Sequence, residues 1–270
     1  MSLDSVIPSA ANWRDSLERN QYEEALARLK ALSLVGQGDK SSEEQLERLV
    51  AFLECLRAKN YSGAKRITRT GWSALDVPIM GLDEMLDALI NAEESWRNGD
   101  ERVRSALQPA LSHPLTRAEA HNQLGVLEAV CERPELARQH FQSALANDAR
   151  HHRAITNLGN LELEAGNLQT AEMRYREALK LNAEYSVAYN NLAAVLKRQG
   201  KRGEAVDMLK KSQRMSLKEI RGQTRGTATN SSNPLGSGIG AQLAKLWANT
   251  TTRTIVVVVL IVILYQIFKQ

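Results

Sequence analysis

The sequence predicts an all-α fold: a solenoid of helical hairpins, then a flexible linker, then a single C-terminal transmembrane helix. Three observations carry this prediction. A helical pattern recurs with a period of 34 residues in the middle of the chain. After Arg221 the composition changes to a stretch rich in glycine, serine and threonine. Further along, the segment Thr254–Phe268 is almost entirely apolar.

The repeat is clearest in residues 152–183, which read as a helix, a turn at Gly166-Asn167 and a second helix. Shifts of 34 residues align Leu158-Gly159 with Leu124-Gly125 and Leu192-Ala193, Ala171 with Ala137 and Ala205, and Tyr175 with Phe141 and Leu209. Small residues let two helices approach closely where they cross, and the larger apolar side chains fill the space between hairpins. Because one hairpin cannot bury its apolar face alone, at least about three must stack.

These positions resemble the tetratricopeptide repeat, which joins a Leu-Gly pair in the first helix to an Ala-x3-aromatic pair in the second. The residues that match are Leu158, Gly159, Ala171 and Tyr175. Where the family has tryptophan, tyrosine and proline, this chain has Ile155, Glu162 and Ala183. The resemblance implies a TPR-like solenoid whose concave surface binds a protein or peptide. The alternative is an ordinary helix bundle with accidental self-similarity.

Fainter copies precede the clear repeats and bring the number of predicted hairpins to six. Their marker positions are Ala25, Ala64, Val103, Ala137, Ala171 and Ala205. The first three lack the Leu-Gly pair, so residues 1–112 are predicted to be degenerate TPR-like hairpins, with a separate helical domain as the alternative. Pro114 marks the break, because proline disfavours helix in the residue before it. Residues 113–221 are predicted to hold three repeats with a polar end.

The remaining chain is predicted to be a flexible basic linker at residues 222–246 and a transmembrane tail anchor at 247–270. The apolar run Thr254–Phe268 spans only about 22 Å as a helix, against about 30 Å for a hydrocarbon core. The span is therefore expected to begin before Arg253, whose side chain can reach the interface. A buried strand is the alternative, but no second strand-like segment could pair with it. More positive charge precedes the span than follows it, so the N-terminal body is expected to be cytoplasmic.

Charge and cysteine content exclude other classes of protein. The net charge of +4 resides in the C-terminal part, since residues 1–217 sum to −1. We therefore expect no nucleic-acid binding, which requires basic residues on a folded face.

Cys55 and Cys131 lie 76 residues apart and are expected to be buried free thiols. No catalytic motif or metal-ligand spacing is present, so we expect no enzyme, cofactor or metal. His151-His152 is expected to be a solvated helix start.

If the first helix of each hairpin lines the concave surface, as the resemblance implies, nine residues are candidates for partner binding. They are Glu119, Asn122, Arg153, Thr156, Asn157, Asn160, Asn190, Asn191 and Lys197. Asparagine offers a donor and an acceptor together, so an asparagine-lined groove can bond the backbone of an extended peptide. The alternative is that these asparagines are solvated and bind nothing.

The functional hypothesis that follows is a membrane-anchored scaffold or adaptor that binds a protein partner at the cytoplasmic face of a membrane. Two alternatives share the same architecture: an assembly or biogenesis factor for membrane proteins, and a recruiter similar to the fission adaptors of organelles. The bodies of fission adaptors are smaller than this one, which counts against the last.

Overall fold

The structure, a computed structural model, describes residues 13–69, 77, 79–95 and 100–227. Within these ranges the regular elements are twelve α-helices that follow one another as six pairs. The first three pairs are α1 (Trp13–Glu18) with α2 (Tyr22–Leu34), α3 (Lys40–Arg57) with α4 (Tyr61–Thr68), and α5 (Leu82–Ser95) with α6 (Asp100–Ser112). The last three are α7 (Arg117–Val130) with α8 (Pro134–Asn147), α9 (His152–Glu164) with α10 (Leu168–Leu181), and α11 (Ser186–Arg198) with α12 (Arg202–Thr227).

The six predicted hairpins are present, and their marker residues all lie in the core. Five markers are fully buried and Ala205 is 5% exposed. The predicted turn in the central hairpin is also present, and Gly166 adopts a φ of 82° there, a conformation that glycine reaches without steric cost. The 34-residue period therefore correctly predicts which residues of these helices are buried in the core. Whether the first three hairpins are true repeats stays a prediction.

Small residues set the separation of paired helices. A Cβ atom added at Gly159 would lie 2.7 Å from Cε1 of Tyr175, closer than van der Waals contact allows. One period earlier, a Cβ atom at Gly125 would collide with the ring of Phe141. The glycine in the first helix and the aromatic ring in the second are thus a matched pair, as their spacing in the sequence predicts.

A leucine at Gly159 is expected to force α9 and α10 apart. Overpacking of this kind typically costs about 1–3 kcal/mol. Gly203 provides a matched control, since it is also helical and a Cβ atom there meets nothing within 4 Å. In urea unfolding, Gly159→Leu should lower the unfolding free energy by at least about 1 kcal/mol, and Gly203→Leu should not. Equal stability of Gly159→Leu and the parent protein would refute this register.

One hydrophobic core continues across the predicted break at Pro114. A single cluster of buried side chains runs from Trp13 in α1 to Leu127 in α7. It includes Val103 and Leu107 of α6 as well as Leu124 of α7. The described residues up to Met215 form one compact unit, and Ser216–Thr227 belong to a second. The third and fourth hairpins therefore pack together through a shared apolar surface.

The last helix is longer than the sequence pattern predicts. α12 continues to Thr227, so the flexible linker predicted from Gly222 is wrong for its first residues. The two glycines at 222 and 226 each cost only about 1 kcal/mol in a helix interior, and no proline interrupts the segment.

The rest of the predicted linker and the predicted anchor at 247–270 lie outside the described residues. Among the residues that are described, no helix has both the length and the apolar character needed to cross a membrane.

Candidate functional site

An open groove of about 340 Å³ lies between the first helices of the fourth and fifth hairpins, α7 and α9. Its lining residues are Val126, Ala129, Val130, Phe141, Asn157, Asn160, Leu161 and Glu164. Aliphatic side chains and one aromatic ring make up most of this lining, so the floor is apolar. Val130 is 67% exposed. The groove therefore presents apolar surface to solvent, with two amides and one carboxylate among its walls.

The two groove asparagines are held in place by amides of the neighbouring hairpins. Nδ2 of Asn157 donates to Oδ1 of Asn122 at 2.9 Å. Oδ1 of Asn160 accepts from Nδ2 of Asn191 and from the hydroxyl of Tyr175, both at 2.8 Å. Within the described chain, Oδ1 of Asn157 and Nδ2 of Asn160 have no hydrogen-bond partner. The groove thus offers one fixed acceptor and one fixed donor, the complement of a peptide group.

Three of the nine candidate residues are buried, contrary to the predicted open surface. Glu119 is 1% exposed, Asn122 is fully buried and Thr156 is 1% exposed. Thr156 Oγ1 donates to the carbonyl of His152 in its own helix. Glu119 and Asn122 bond to neighbouring helices, and all three side chains are closed to a partner in this structure.

The other candidates divide between the groove and positions away from it. Asn157 and Asn160 line the groove, and Asn191 supports it from α11. Asn190 and Lys197 are exposed on α11 but do not line the groove. Arg153 is half-buried against Glu119. The structure therefore brings together four of the five asparagines, Asn122, Asn157, Asn160 and Asn191, and separates them from the charged members of the set.

Asn157 is more than a surface residue, because its partner Asn122 is fully buried. Replacing Asn157 with alanine would leave the Oδ1 atom of Asn122 without its donor, at a cost of about 1–3 kcal/mol. Asn157 is therefore expected to contribute to the stability of the fold as well as to the groove. Tests of the groove are better made at exposed positions such as Val130.

Glu119 is the centre of a buried polar cluster that joins three hairpins. Its carboxylate accepts from the hydroxyl of Tyr61 at 2.7 Å, is bonded to Nε2 of His151 at 2.9 Å and pairs with Nη1 of Arg153 at 3.0 Å. Burial raises the pKa of Glu119, but the charge of Arg153 and the bonds from His151 and Tyr61 outweigh it and hold the pKa at about 2. The group is therefore an ionised carboxylate with these three neighbours arranged to stabilise its charge.

The two histidines at the start of α9 are buried, so the expected solvated helix start is wrong. His151 is 1% exposed and His152 is 4% exposed. Nδ1 of His151 accepts the backbone N–H of Ala154 and caps the helix, which leaves Nε2 to donate to Glu119. Burial lowers the pKa of His152 to about 3, and the neighbouring His151 and Arg153 add to that effect. His152 packs edge-on against Tyr185 with 4.8 Å between ring centroids.

A second buried ion pair fixes the N-terminal hairpins against the turn before α9. Nε and Nη2 of Arg57 donate to the two carboxylate oxygens of Asp148, each at 2.7 Å, although the residues are 91 positions apart. Arg57 is 3% exposed and also pairs with Glu23 of α2. This bridge holds the second hairpin close to the turn.

One part of this cluster had a signal in the sequence. Glu119 and Arg153 carry opposite charges and lie one period of 34 residues apart, so they occupy the same position in successive first helices. The pairing of Arg57 with Asp148 has no such periodic signal, because the two residues belong to different parts of their hairpins.

No group of three or more histidine, cysteine, aspartate or glutamate side chains in the described ranges is arranged to hold a metal ion. Cys55 and Cys131 are partly buried free thiols. Burial raises the pKa of the Cys55 thiol, which disfavours the reactive thiolate. The groove is therefore the candidate binding site in the described structure.

Comparison with known families matches residues 152–218 to the tetratricopeptide repeat. The resemblance predicted from Gly159 and Tyr175 is confirmed for this part of the chain. The groove lies against its first helix, α9. Comparison with curated proteins finds no match.

Solved structures of the protein MamA are similar to this chain at low identity. One crystal structure is 19% identical, covers 62% of this chain and 95% of its own, and has a TM-score of 0.42. A second is also 19% identical, covers 66% and 95% respectively, and has a TM-score of 0.41. The RS-1 ArsTM double mutant of MamA is 15% identical, covers 67% and 97%, and has a TM-score of 0.40.

Proposed function

We propose that this protein is a membrane-tethered scaffold that holds an extended segment of a protein partner in the groove between α7 and α9. One observation carries the proposal: an exposed apolar groove of about 340 Å³ whose wall presents an unpaired acceptor on Asn157 and an unpaired donor on Asn160 within the described chain. An extended peptide offers alternating N–H and C=O groups to such a pair. The tetratricopeptide match at 152–218 supports a role in protein interaction.

The composition of the groove favours binding over catalysis. Its walls hold two amides and the carboxylate of Glu164, and none of its lining residues is a serine, cysteine, histidine or lysine. A general base or nucleophile needs a partner that shifts its pKa or takes its proton, and two amides cannot serve that purpose. The protein in this proposal is a scaffold without enzymatic activity.

The tether in this proposal rests on the amino-acid sequence. Thr254–Phe268 is apolar enough to anchor the chain, and the basic residues before it favour a cytoplasmic N-terminal body. An anchor at this end would place the repeats beside the membrane surface, where they could recruit a partner. The partner is expected to be a cytoplasmic protein with an extended segment that carries an apolar side chain.

An aspartate at Val130 should abolish partner binding without unfolding the protein. Val130 is 67% exposed, so its substitution has little effect on the core, but a carboxylate there must lose water to admit an apolar ligand. Met173 on α10 is a matched control, since it is 64% exposed and outside the groove lining. In quantitative co-purification from solubilised membranes, we expect the amount of partner recovered with Val130→Asp to be at least about tenfold lower than with the parent protein.

The control makes the outcome decisive. Met173→Asp should retain the partner at the parent level, and both variants should keep the helical circular dichroism of the parent. Full retention by Val130→Asp, or equal loss from both variants, would place binding elsewhere and reject the groove.

A further inference from the structure

The part of α12 from Lys210 onward is strongly basic. Between residues 210 and 227 the helix has six basic residues and one acidic residue, Glu219, for a net charge of +5. The whole chain carries only +4, so this segment outweighs all the rest. Five of the basic residues recur at intervals of three or four along the helix: Lys210, Arg214, Lys218, Arg221 and Arg225. That spacing places their positions on one side of a helix with 3.6 residues per turn.

The basic side is turned away from the side that packs. Ala205 is buried and Ser212 Oγ donates to the carbonyl of Ser186, so these positions define the side of α12 that faces α11. Lys210 and Arg214 lie two residues before and after Ser212, and each is therefore about 160° away from it around the helix. Both side chains are exposed, as are those of Lys211 and Lys218.

In the described structure, no carboxylate forms an ion pair with Lys210, Lys211 or Arg214. The acidic residues at the start of α12, Glu204 and Asp207, precede Lys210, and Glu204 lies 3.7 Å from Arg176. Nζ of Lys211 lies 5.9 Å from the ring of Tyr189 at one edge of the face. Cations that cluster on one exposed side of a helix are typical of a helix that lies on an anionic membrane surface.

We propose that the basic face of α12, formed by Lys210, Lys211 and Arg214, binds the acidic headgroups of membrane phospholipids. Lys218, Arg221 and Arg225 continue the same spacing along the sequence. Each phosphate would be held by lysine or arginine.

The inference rests on the proposed function only for the tether that brings α12 to a membrane. Twenty-six residues separate Thr227 from Thr254. Even a fully extended chain of that length would keep the end of α12 within about 90 Å of an anchored segment. The tether would therefore hold the basic face at a high local concentration of lipid headgroups.

The test uses the full chain reconstituted into two kinds of vesicle: phosphatidylcholine alone, and phosphatidylcholine mixed with phosphatidylglycerol. Amide hydrogen exchange of α12 is measured in each, at low and at high salt. The first variant is Lys210→Glu/Arg214→Glu. The matched control is Arg48→Glu/Lys180→Glu, which makes the same change in charge at exposed positions of α3 and α10.

We expect exchange in α12 to slow about tenfold or more with phosphatidylglycerol, because each basic residue adds to the attraction. High salt should reverse this slowing, since exposed charges are screened. The Lys210→Glu/Arg214→Glu variant should show no slowing of exchange with phosphatidylglycerol, and the Arg48→Glu/Lys180→Glu variant should show the same slowing as the parent. Equal exchange in the two kinds of vesicle would overturn the proposal.

Two further outcomes separate this inference from the proposed tether. A chain that attaches only to phosphatidylglycerol vesicles, and that salt releases, would support the basic face and refute the anchor. A Lys210→Glu/Arg214→Glu variant that loses a protein partner, yet matches the parent in exchange on both kinds of vesicle, would assign the face to an acidic protein and overturn the lipid proposal.

Discussion

Replacement of Glu119 with glutamine is expected to lower the unfolding free energy by about 3–5 kcal/mol, the usual cost of removing one partner from a buried ion pair. The substitution keeps the size of the side chain and removes its charge. Arg153 then has no counter-ion in a buried setting, and the bonds from His151 and Tyr61 lose their charged acceptor. Urea unfolding followed by circular dichroism measures the change.

Glu135→Gln is the matched control, because Glu135 is exposed at the start of α8. An exposed substitution of this kind typically shifts stability by no more than about 0.5 kcal/mol. If Glu119→Gln is as stable as Glu135→Gln, then the carboxylate does not join the hairpins as described.

The pH dependence of the same pair provides an independent check. The pKa of Glu119 is lowered from 4.5 to about 2 in the folded protein, so its stabilisation is complete above pH 4.5 and is lost as the pH falls through 2. Glu119→Gln has no such group to titrate. The difference in unfolding free energy between the parent and the variant should therefore shrink as the pH falls from about 4.5 towards 2.

A chain that ends at Ser237 is expected to lose all membrane attachment that resists alkaline extraction. It keeps the twelve described helices, so the body should stay folded and helical, with the thermal unfolding of the body unchanged. It lacks the apolar segment Thr254–Phe268 and the residues just before it, which together form the proposed anchor. Salt-sensitive adsorption through the basic face of α12 should persist. Fractionation before and after alkaline extraction measures the difference.

A point substitution tests the anchor without truncation. Val258→Arg places a charge near the middle of the proposed span, which begins before Arg253, at a cost of roughly 2.5–3.5 kcal/mol on insertion scales. Because the segment is short, much of the protein should then move to the soluble fraction, whereas Val258→Leu should remain attached. Extraction-resistant attachment of the chain that ends at Ser237 would show that the tail is not the anchor.

The helical repeats could be predicted because their packing is local and periodic. Gly159 faces Tyr175 and Gly125 faces Phe141, and each pair recurs at the same spacing in the sequence. A 34-residue period therefore predicts which residues of each hairpin are buried. The asparagines of the groove were found in the same way, since Asn157 and Asn160 occupy the first helix at positions that face its neighbours.

The polar cluster could not be predicted as fully, because it depends on contacts between distant parts of the chain. Arg57 and Asp148 are 91 residues apart and meet only because the second hairpin packs against the turn before α9. That packing buries Glu119 and His151, which periodicity alone places on an open surface. The end of α12 was missed for a different reason: its glycines resemble a linker in composition but are tolerated in a helix.

The groove is tested most directly by site-specific photocrosslinking in the native membrane. A benzophenone amino acid is placed at Glu164, an exposed residue of the groove wall, or at Gln169, an exposed residue only five positions away on α10 and outside the lining. If an extended partner occupies the groove, Glu164 should give a discrete crosslinked product that Val130→Asp removes, and Gln169 should give none. The same product from Gln169, or no product from Glu164, would contradict the proposal that this groove is where the partner binds.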